Sequence, residues 1–239
     1  MGNLYKTLVP RLAWGLLSLA CLTFFALAAS GLFSDLYTSL AKQRRLESAA
    51  SSFTLRASEL ATHTAPWKSE AWFEYAISAA QVGDYELAVR GMGQSISWSS
   101  ADAQKWAVMA RILAMKGEFD SPMKAAITRA IDLAPNAPNW RRQIALDGTY
   151  WWRKGDADMR RMWLDSMRLS LKLDLGMFLS SVVLTHREDS FCEDVGQKLK
   201  LKSWCEWTAF ARSACYQKEM HPDQRKYCDQ YGFHPLRNP

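Results

Sequence analysis

Four cysteines lie within the last 50 residues of the 239-residue chain: Cys192, Cys205, Cys215 and Cys228. Cys192 and Cys205 are 13 residues apart, and so are Cys215 and Cys228. An even cluster in a small terminal region has the chemistry of disulfide staples, which persist in oxidising compartments. Three pairings are possible. A direct Cys205–Cys215 bond is disfavoured, because residues 204–217 read as one helix that would hold the two about 15 Å apart. The spacing favours Cys192–Cys205 with Cys215–Cys228; Cys192–Cys215 with Cys205–Cys228 is the alternative. Zinc is the competing chemistry, but no close C-x-x-C pair is present and thiolates would not survive in an oxidising compartment. No C-x-x-C-H sequence supports covalent haem. The fifth cysteine, Cys21, falls in an apolar stretch.

The other residues that could do chemistry do not assemble into a catalytic pattern. His63, His186, His221 and His234 are scattered, with no pair at helical spacing, and the motifs of zinc proteases, serine hydrolases and phosphate loops are missing. Gly91-Met92-Gly93 is a lone G-x-G inside an expected helix and reads as packing glycine. Asp156 and Asp158 follow Gly155 and read as caps of the next helix rather than metal ligands. The expectation is therefore no enzyme, no cofactor, no metal and no small-molecule substrate. The formal charge of +6 points to anionic partners in general terms: a lipid surface, an acidic protein or an anionic polymer. Its basic residues are spread along the chain, as on a solvated face, and nucleic acid is not expected.

The elements that would carry these residues announce themselves through tryptophan. Trp72, Trp106 and Trp140 recur every 34 residues. Gly83 and Gly117 each follow their tryptophan by 11 residues, in Val82-Gly83-Asp84-Tyr85 and Lys116-Gly117-Glu118-Phe119. A fixed period of this length marks helical hairpins, each of which must stack on the next to bury its apolar face. With 12 Gly and 8 Pro in 239 residues and no long alternating β-branched run, an all-α chain is expected. The helix pairs are read at 69–81 with 85–97, 103–115 with 119–132, and 138–153 with 157–172.

These residues resemble the tetratricopeptide repeat family, whose pattern places a large residue, then small ones, in the first helix, glycine at the turn, an aromatic and alanine in the second, and proline at the end. Trp72, Tyr75, Ala76, Gly83, Tyr85 and Ala88 match in the first repeat; Trp106, Met109, Ala110, Gly117 and Phe119 match in the second. Pro122 replaces the expected alanine, at an early helical position where a missing N–H is harmless. Ala130-Ile131-Asp132-Leu133-Ala134-Pro135 looks like a repeat ending, and Pro66 like the ending of a degenerate earlier repeat. In the third repeat the turn glycine is Gly155, 15 residues after Trp140, which predicts a first helix one turn longer with Gly148 inside it. The three periodic tryptophans are expected in repeat cores. Trp67, Trp98, Trp151 and Trp152 are candidates for a membrane interface or a contact surface.

The resemblance implies a protein-binding groove lined by the first helix of each repeat. Carried onto this sequence, its positions are Glu70, Phe73, Glu74, Ile77 and Gln81, then Gln104, Val108, Arg111 and Met115, then Arg141, Arg142 and Thr149. Phe73 and Ile77 could hold an apolar anchor side chain, and Arg111, Arg141 and Arg142 could grip a carboxylate. The alternative leaves these arginines solvated and places the contact elsewhere, even on the membrane anchor.

Residues 12–34 carry no charge. Twenty-three such residues at about 1.5 Å each suffice to cross a hydrocarbon core of about 30 Å. Lys6 and Arg11 precede the stretch and Lys42, Arg44 and Arg45 follow it, so charge hardly chooses an orientation. A cleavable signal peptide competes, because Ala26-Leu27-Ala28 and Ala28-Ala29-Ser30 are small-residue sites. The apolar run continues past both, which favours an anchor. Arg44 and Arg45 read as a solvated juxtamembrane face, with anionic headgroups the alternative.

The expected organisation is a cytoplasmic N-terminus and transmembrane anchor at 1–34, a juxtamembrane helix and degenerate repeat at 35–65, and tetratricopeptide-like repeats at 66–173. A capping helix and a cysteine-bearing C-terminal region follow at 174–239, ending in an extended tail from Gly232. The fold class is all-α: one transmembrane helix, a helical-hairpin solenoid, and a disulfide-stapled helical end. The cysteines put the body outside the cytoplasm, on a bacterial inner membrane. Membrane-anchored repeat proteins of the kind it resembles serve polysaccharide synthesis and export, pilus or secretion assembly, and cytochrome maturation. The resemblance thus implies a scaffold or adaptor that binds an integral membrane or periplasmic protein, with polysaccharide assembly first among the pathways. An enzyme acting on an envelope polymer is the alternative.

Overall fold

The computed structural model describes the backbone of residues 2–46, 52–185 and 187–215, and side chains from residue 19 onward apart from a few positions beside the omitted segments. No strand occurs among the described residues. The chain divides into two compact units, Met1–Ala101 and Asp102–Pro239.

The first unit contains α1 (Gly2–Leu46), α2 (Ser52–Thr64), α3 (Ser69–Gln81) and α4 (Tyr85–Trp98). The apolar stretch and the residues after it form one helix, not an anchor followed by a separate juxtamembrane helix. No residue in that run breaks a helix: Gly31 and Asp35 are tolerated and no proline intervenes. From Leu19 to Ala29 the side chains of α1 are exposed, while Ser34 and Ala41 are buried against the rest of the unit. α1 with α2, and α3 with α4, pair as neighbours, and α2 also packs on α3.

The α3–α4 hairpin is closed by small residues. Ala71, Ala76, Ala79 and Ala88 are almost fully buried, so the helices approach closely. A Cβ on Gly91 would lie 3.1 Å from the Tyr75 ring and 3.3 Å from the Ala76 Cβ, the packing role expected of it. The turn uses Gly83 at φ +85°, a conformation that a Cβ penalises. Asp84 then caps α4 by accepting from the Leu87 N–H at 2.9 Å. At the open end, Ser69 and Ser95 exchange bonds: Ser69 Oγ donates to the Ser95 carbonyl at 2.7 Å and Ser95 Oγ to the Ser69 carbonyl at 2.8 Å.

The second unit contains α5 (Ala103–Lys116), α6 (Ser121–Leu133), α7 (Pro138–Trp151), α8 (Ala157–Leu184), α9 (Glu188–Phe191), a π-turn at Cys192–Gly196 and α10 (Lys202–Cys215). α5–α6 and α7–α8 are hairpins, and α5 packs beside α7. Gly117, at φ +91°, closes the first as Gly83 does in the other unit. Pro122 sits in the first turn of α6, and Pro138 opens α7. Helix starts at 69, 103 and 138 follow the tryptophan period to within one residue. These are tetratricopeptide-like hairpins.

Two expectations need correction. α7 is 14 residues long, no longer than α5; the extra residues of the third repeat lie in the turn from Trp152 to Asp156. The 34-residue tryptophans are half-buried. Trp72, for example, sends its Nε1–H to the Pro66 carbonyl at 2.7 Å. Among the described residues the fully buried tryptophan is Trp163, with Trp152 nearly buried beside it, their rings 6.5 Å apart. The further helix expected from Asp174 is present as the second segment of α8, set off from the first by a kink. Asp174 has non-helical φ −158° and ψ 82°, and its Oδ1 accepts from the Met177 N–H at 2.9 Å, which starts the second segment as an N-cap.

Trp163 explains Gly148, which the repeat pattern does not require, and the late position of the turn glycine Gly155. A Cβ on Gly148 would come within 2.6 Å of the Trp163 Cβ, and one on Gly155 within 2.3 Å of its ring. The indole occupies a notch made by missing side chains on α7 and on the turn after it.

Candidate functional site

The expected groove residues fall in both units. In the first, Phe73 and Glu74 are buried, so they belong to the interior. Ile77 is half-buried, and Glu70 and Gln81 are exposed. The apolar anchor point imagined at Phe73 and Ile77 is thereby reduced to Ile77. In the second unit, Gln104 and Val108 are half-buried and Met115 is exposed. Thr149 is buried, and its hydroxyl donates to the Leu146 carbonyl at 2.7 Å.

The three arginines are not equivalent. Arg111, on α5, reaches α7, where its Nε and Nη2 donate to Asp147 Oδ1 at 2.9 and 2.6 Å. Gln143 Nε2 adds a third donor to the same oxygen at 3.2 Å. Asp147 is almost fully buried. Burial pushes its pKa up to about 6, against the opposing pull of Arg111 and Gln143. Arg111 therefore ties α5 to α7. Any incoming carboxylate would compete with Asp147 for it. Arg141 is 8% exposed. Burial lowers its pKa and the Asp165 charge opposes that, while its Nε has no hydrogen-bond partner. Arg142 remains at the surface, with Nη1 on the Met177 sulfur and Nη2 loosely on Asn139 Oδ1 at 3.4 Å.

Asp147 was missed by sequence reasoning, although a signal existed. It is a lone acid on the apolar side of α7, four residues after Gln143, and α7 is the repeat equivalent of the helix bearing Arg111. Asp156, by contrast, behaves as expected of a cap: its Oδ1 accepts from the Asp158 and Met159 N–H groups at 3.1 and 3.0 Å. Its side chain also pairs with Lys124. That pairing, followed by the Met159 N–H bond, holds its pKa below the usual carboxylate value. No group of three or more His, Cys, Asp or Glu side chains suited to a metal occurs among the described residues.

A cationic cleft of about 210 Å³ opens beside the α7–α8 turn, lined among others by Tyr150, Trp152, Arg153, Lys154 and Arg187. Arg187 stacks on Tyr150 at 4.1 Å, and Lys198 lies 4.9 Å from the Trp152 ring. Arg153 is engaged by Asp194, at 3.0 Å, and Glu193, at 2.7 Å. Thr149 lines this cleft and the other expected groove residues do not. The signal in the sequence was Tyr150-Trp151-Trp152-Arg153-Lys154, aromatic surface followed by charge.

The Cys192–Cys205 disulfide is formed, with the Cα atoms 5.6 Å apart. It joins the π-turn to α10, over a core where Phe191 stacks edge-on with Phe178 and Trp204. The expected Cys215–Cys228 bond lies outside the described side chains. Cys21 is free and exposed on α1.

No family model matches the chain, and no curated protein matches it. Among solved structures, a crystal structure of MamA superposes with a TM-score of 0.49 at 11% identity, covering 59% of this chain and 80% of that one. A second MamA crystal structure gives 0.47 at 13% identity, covering 61% and 75%. An O-GlcNAc transferase mutant from Thermobaculum terrenum gives 0.48 at 17% identity, covering 58% of this chain and 26% of that one. These values are too low to carry a function, or a shared fold, from one chain to the other.

Proposed function

We propose that this protein is a membrane-anchored scaffold that presents helical hairpins to another protein of the bacterial envelope. The observation that carries the reading is α1. An apolar helix whose side chains are exposed from Leu19 to Ala29 continues directly into a packed hairpin unit. The Leu19–Gln43 segment is long and apolar enough to cross a membrane. A bare apolar rod of that length is costly in water and favourable in lipid. The disulfide supports a body in an oxidising compartment, and with it the reading of a cytoplasmic N-terminus and periplasmic repeats.

The partner is an integral membrane or periplasmic protein in an envelope assembly, with polysaccharide assembly or export the first pathway to examine. On the second unit the contact surface centres on Arg142, Met115 and the cationic cleft rather than on Arg111, which Asp147 already holds. Glu70, Ile77 and Gln81 are the contact candidates on the first. Affinity purification of the full chain in mild detergent tests this directly. A specific membrane or envelope protein should co-purify. Recovery of the chain alone, together with turnover of an envelope polymer by the pure protein, would replace the scaffold with an enzyme.

A further inference from the structure

The first unit does not hang from the end of its anchor; it folds back along it. α2 returns beside α1, with Ser34 Oγ donating to the Ala61 carbonyl at 3.0 Å in a buried contact. At the far end of α2, the turn into α3 brings Lys68 to the anchor. Its Nζ donates to the Gly31 carbonyl at 2.9 Å and pairs with Asp35 at 2.7 Å. Burial of α1 accordingly begins at Ser30, whereas Leu22, Phe24, Phe25 and Leu27 upstream are exposed.

We infer that the α2–α3 turn, Pro66-Trp67-Lys68, rests on the phospholipid surface and that the hydrocarbon-embedded part of α1 ends near Ser30. The inference rests on the anchor reading of α1. Three features carry it. Residues 12–30 rise about 28 Å along a helix, close to the thickness of a hydrocarbon core of about 30 Å. An ion pair such as Lys68–Asp35 is strongly disfavoured inside hydrocarbon, so the boundary must lie before it. Trp67 is exposed beside it, an amphipathic ring at the level where such rings settle among headgroups. Leu32, Phe33 and Leu36 are also exposed. Leu32 and Phe33 fall within the next 5 Å or so of helix, inside a headgroup layer of about 5–7 Å, and Leu36, about 9 Å on, lies at its aqueous edge, which accounts for apolar side chains on a helix already leaving the hydrocarbon. Fixed in this way, α3 rises away from the bilayer and its Val82 end points into the aqueous phase.

The test uses the full chain in nanodiscs of phosphatidylethanolamine and phosphatidylglycerol. Single cysteines are introduced by Leu27→Cys, Leu36→Cys, Trp67→Cys, Pro66→Cys and Val82→Cys, labelled with a charged maleimide, and read by peptide mass spectrometry. Thiols in apolar surroundings stay protonated and unreactive, so Leu27→Cys and native Cys21 should label about tenfold or more slowly than Val82→Cys. Leu36→Cys should label readily. Trp67→Cys, with Pro66→Cys as a second report on the same turn, should be slowed in nanodiscs and released by detergent. Protection of Leu36→Cys equal to that of Leu27→Cys would overturn the inference, as would turn cysteines that label like Val82→Cys. Free labelling of Cys21 and Leu27→Cys in intact nanodiscs would instead defeat the anchor reading itself.

Discussion

The α3–α4 hairpin and the α7–α8 hairpin follow one repeat pattern and close by different means. The first brings its helices together with small residues: Ala71, Ala76, Ala79 and Ala88 are buried in it, and Gly91 meets Tyr75 and Ala76. The second places one large ring, Trp163, in a notch left by Gly148 and Gly155, flanked by Met159 and Met167. A three-residue turn suffices for the first, between Gln81 and Tyr85. The second needs the longer turn from Trp152 to Asp156, because the indole must be accommodated beneath it. The contrast teaches that one hairpin plan leaves both the turn length and the packing between helices free: distributed small residues in one hairpin, a single bulky side chain in the other.

That difference should show most clearly when the large side chain is removed. Trp163→Ala should destabilise the second unit by about 3–5 kcal/mol, because a buried indole leaves a cavity its neighbours cannot fill. Urea unfolding followed by circular dichroism measures it, and a loss below about 1 kcal/mol would mean the notch collapses freely. Reduction of Cys192–Cys205, or replacement of both by serine, should lower stability by about 2–4 kcal/mol. Limited proteolysis should then cut first between Phe191 and Lys202.

The glycines give a smaller and more diagnostic effect. Gly148→Ala should lower stability by about 1–3 kcal/mol, since overpacking against Trp163 outweighs the helix propensity gained. Gly93→Ala, in α4 with nothing within 4 Å of its added Cβ, should raise stability by about 0.5–1 kcal/mol. Equal shifts in melting temperature for the two would erase the proposed contrast between the hairpins.

The finest test is pH. Asp147 has a folded pKa raised from 3.8 to about 6. A carboxyl raised on folding binds its proton more tightly in the folded state. Its contribution to stability is complete below the unfolded pKa and is lost as pH rises through the folded one. The stability difference between the native chain and Asp147→Asn should therefore decline from about pH 4 to pH 6 and then level off. A difference that rises over that window would show that Arg111 dominates the site after all.

The period of tryptophan and glycine was enough to set helix type and number of hairpins, because turns and caps are local chemistry. Gly83 and Gly117 stand at positive φ, and Asp156 caps its helix, for reasons contained in a few neighbouring residues. The Cys192–Cys205 pair was legible for the same reason: a short intervening segment leaves few alternatives. The uncharged run of α1 was equally plain, since length and composition alone decide whether a helix can cross a membrane.

Tertiary structure decided which tryptophan forms the core, and it chose Trp163 over the periodic ones. Burial depends on what another helix presents across the contact, which no local window contains. The same holds for Arg111. As a position in a repeat it was a candidate to grip a partner's carboxylate; in the folded chain the carboxylate is supplied 36 residues later by Asp147. It holds again for Lys68, whose partners Gly31 and Asp35 belong to a helix that must first turn back on itself through α2. Sequence spacing determined where this chain turns; the approach of distant helices determined which side chains remain available for function.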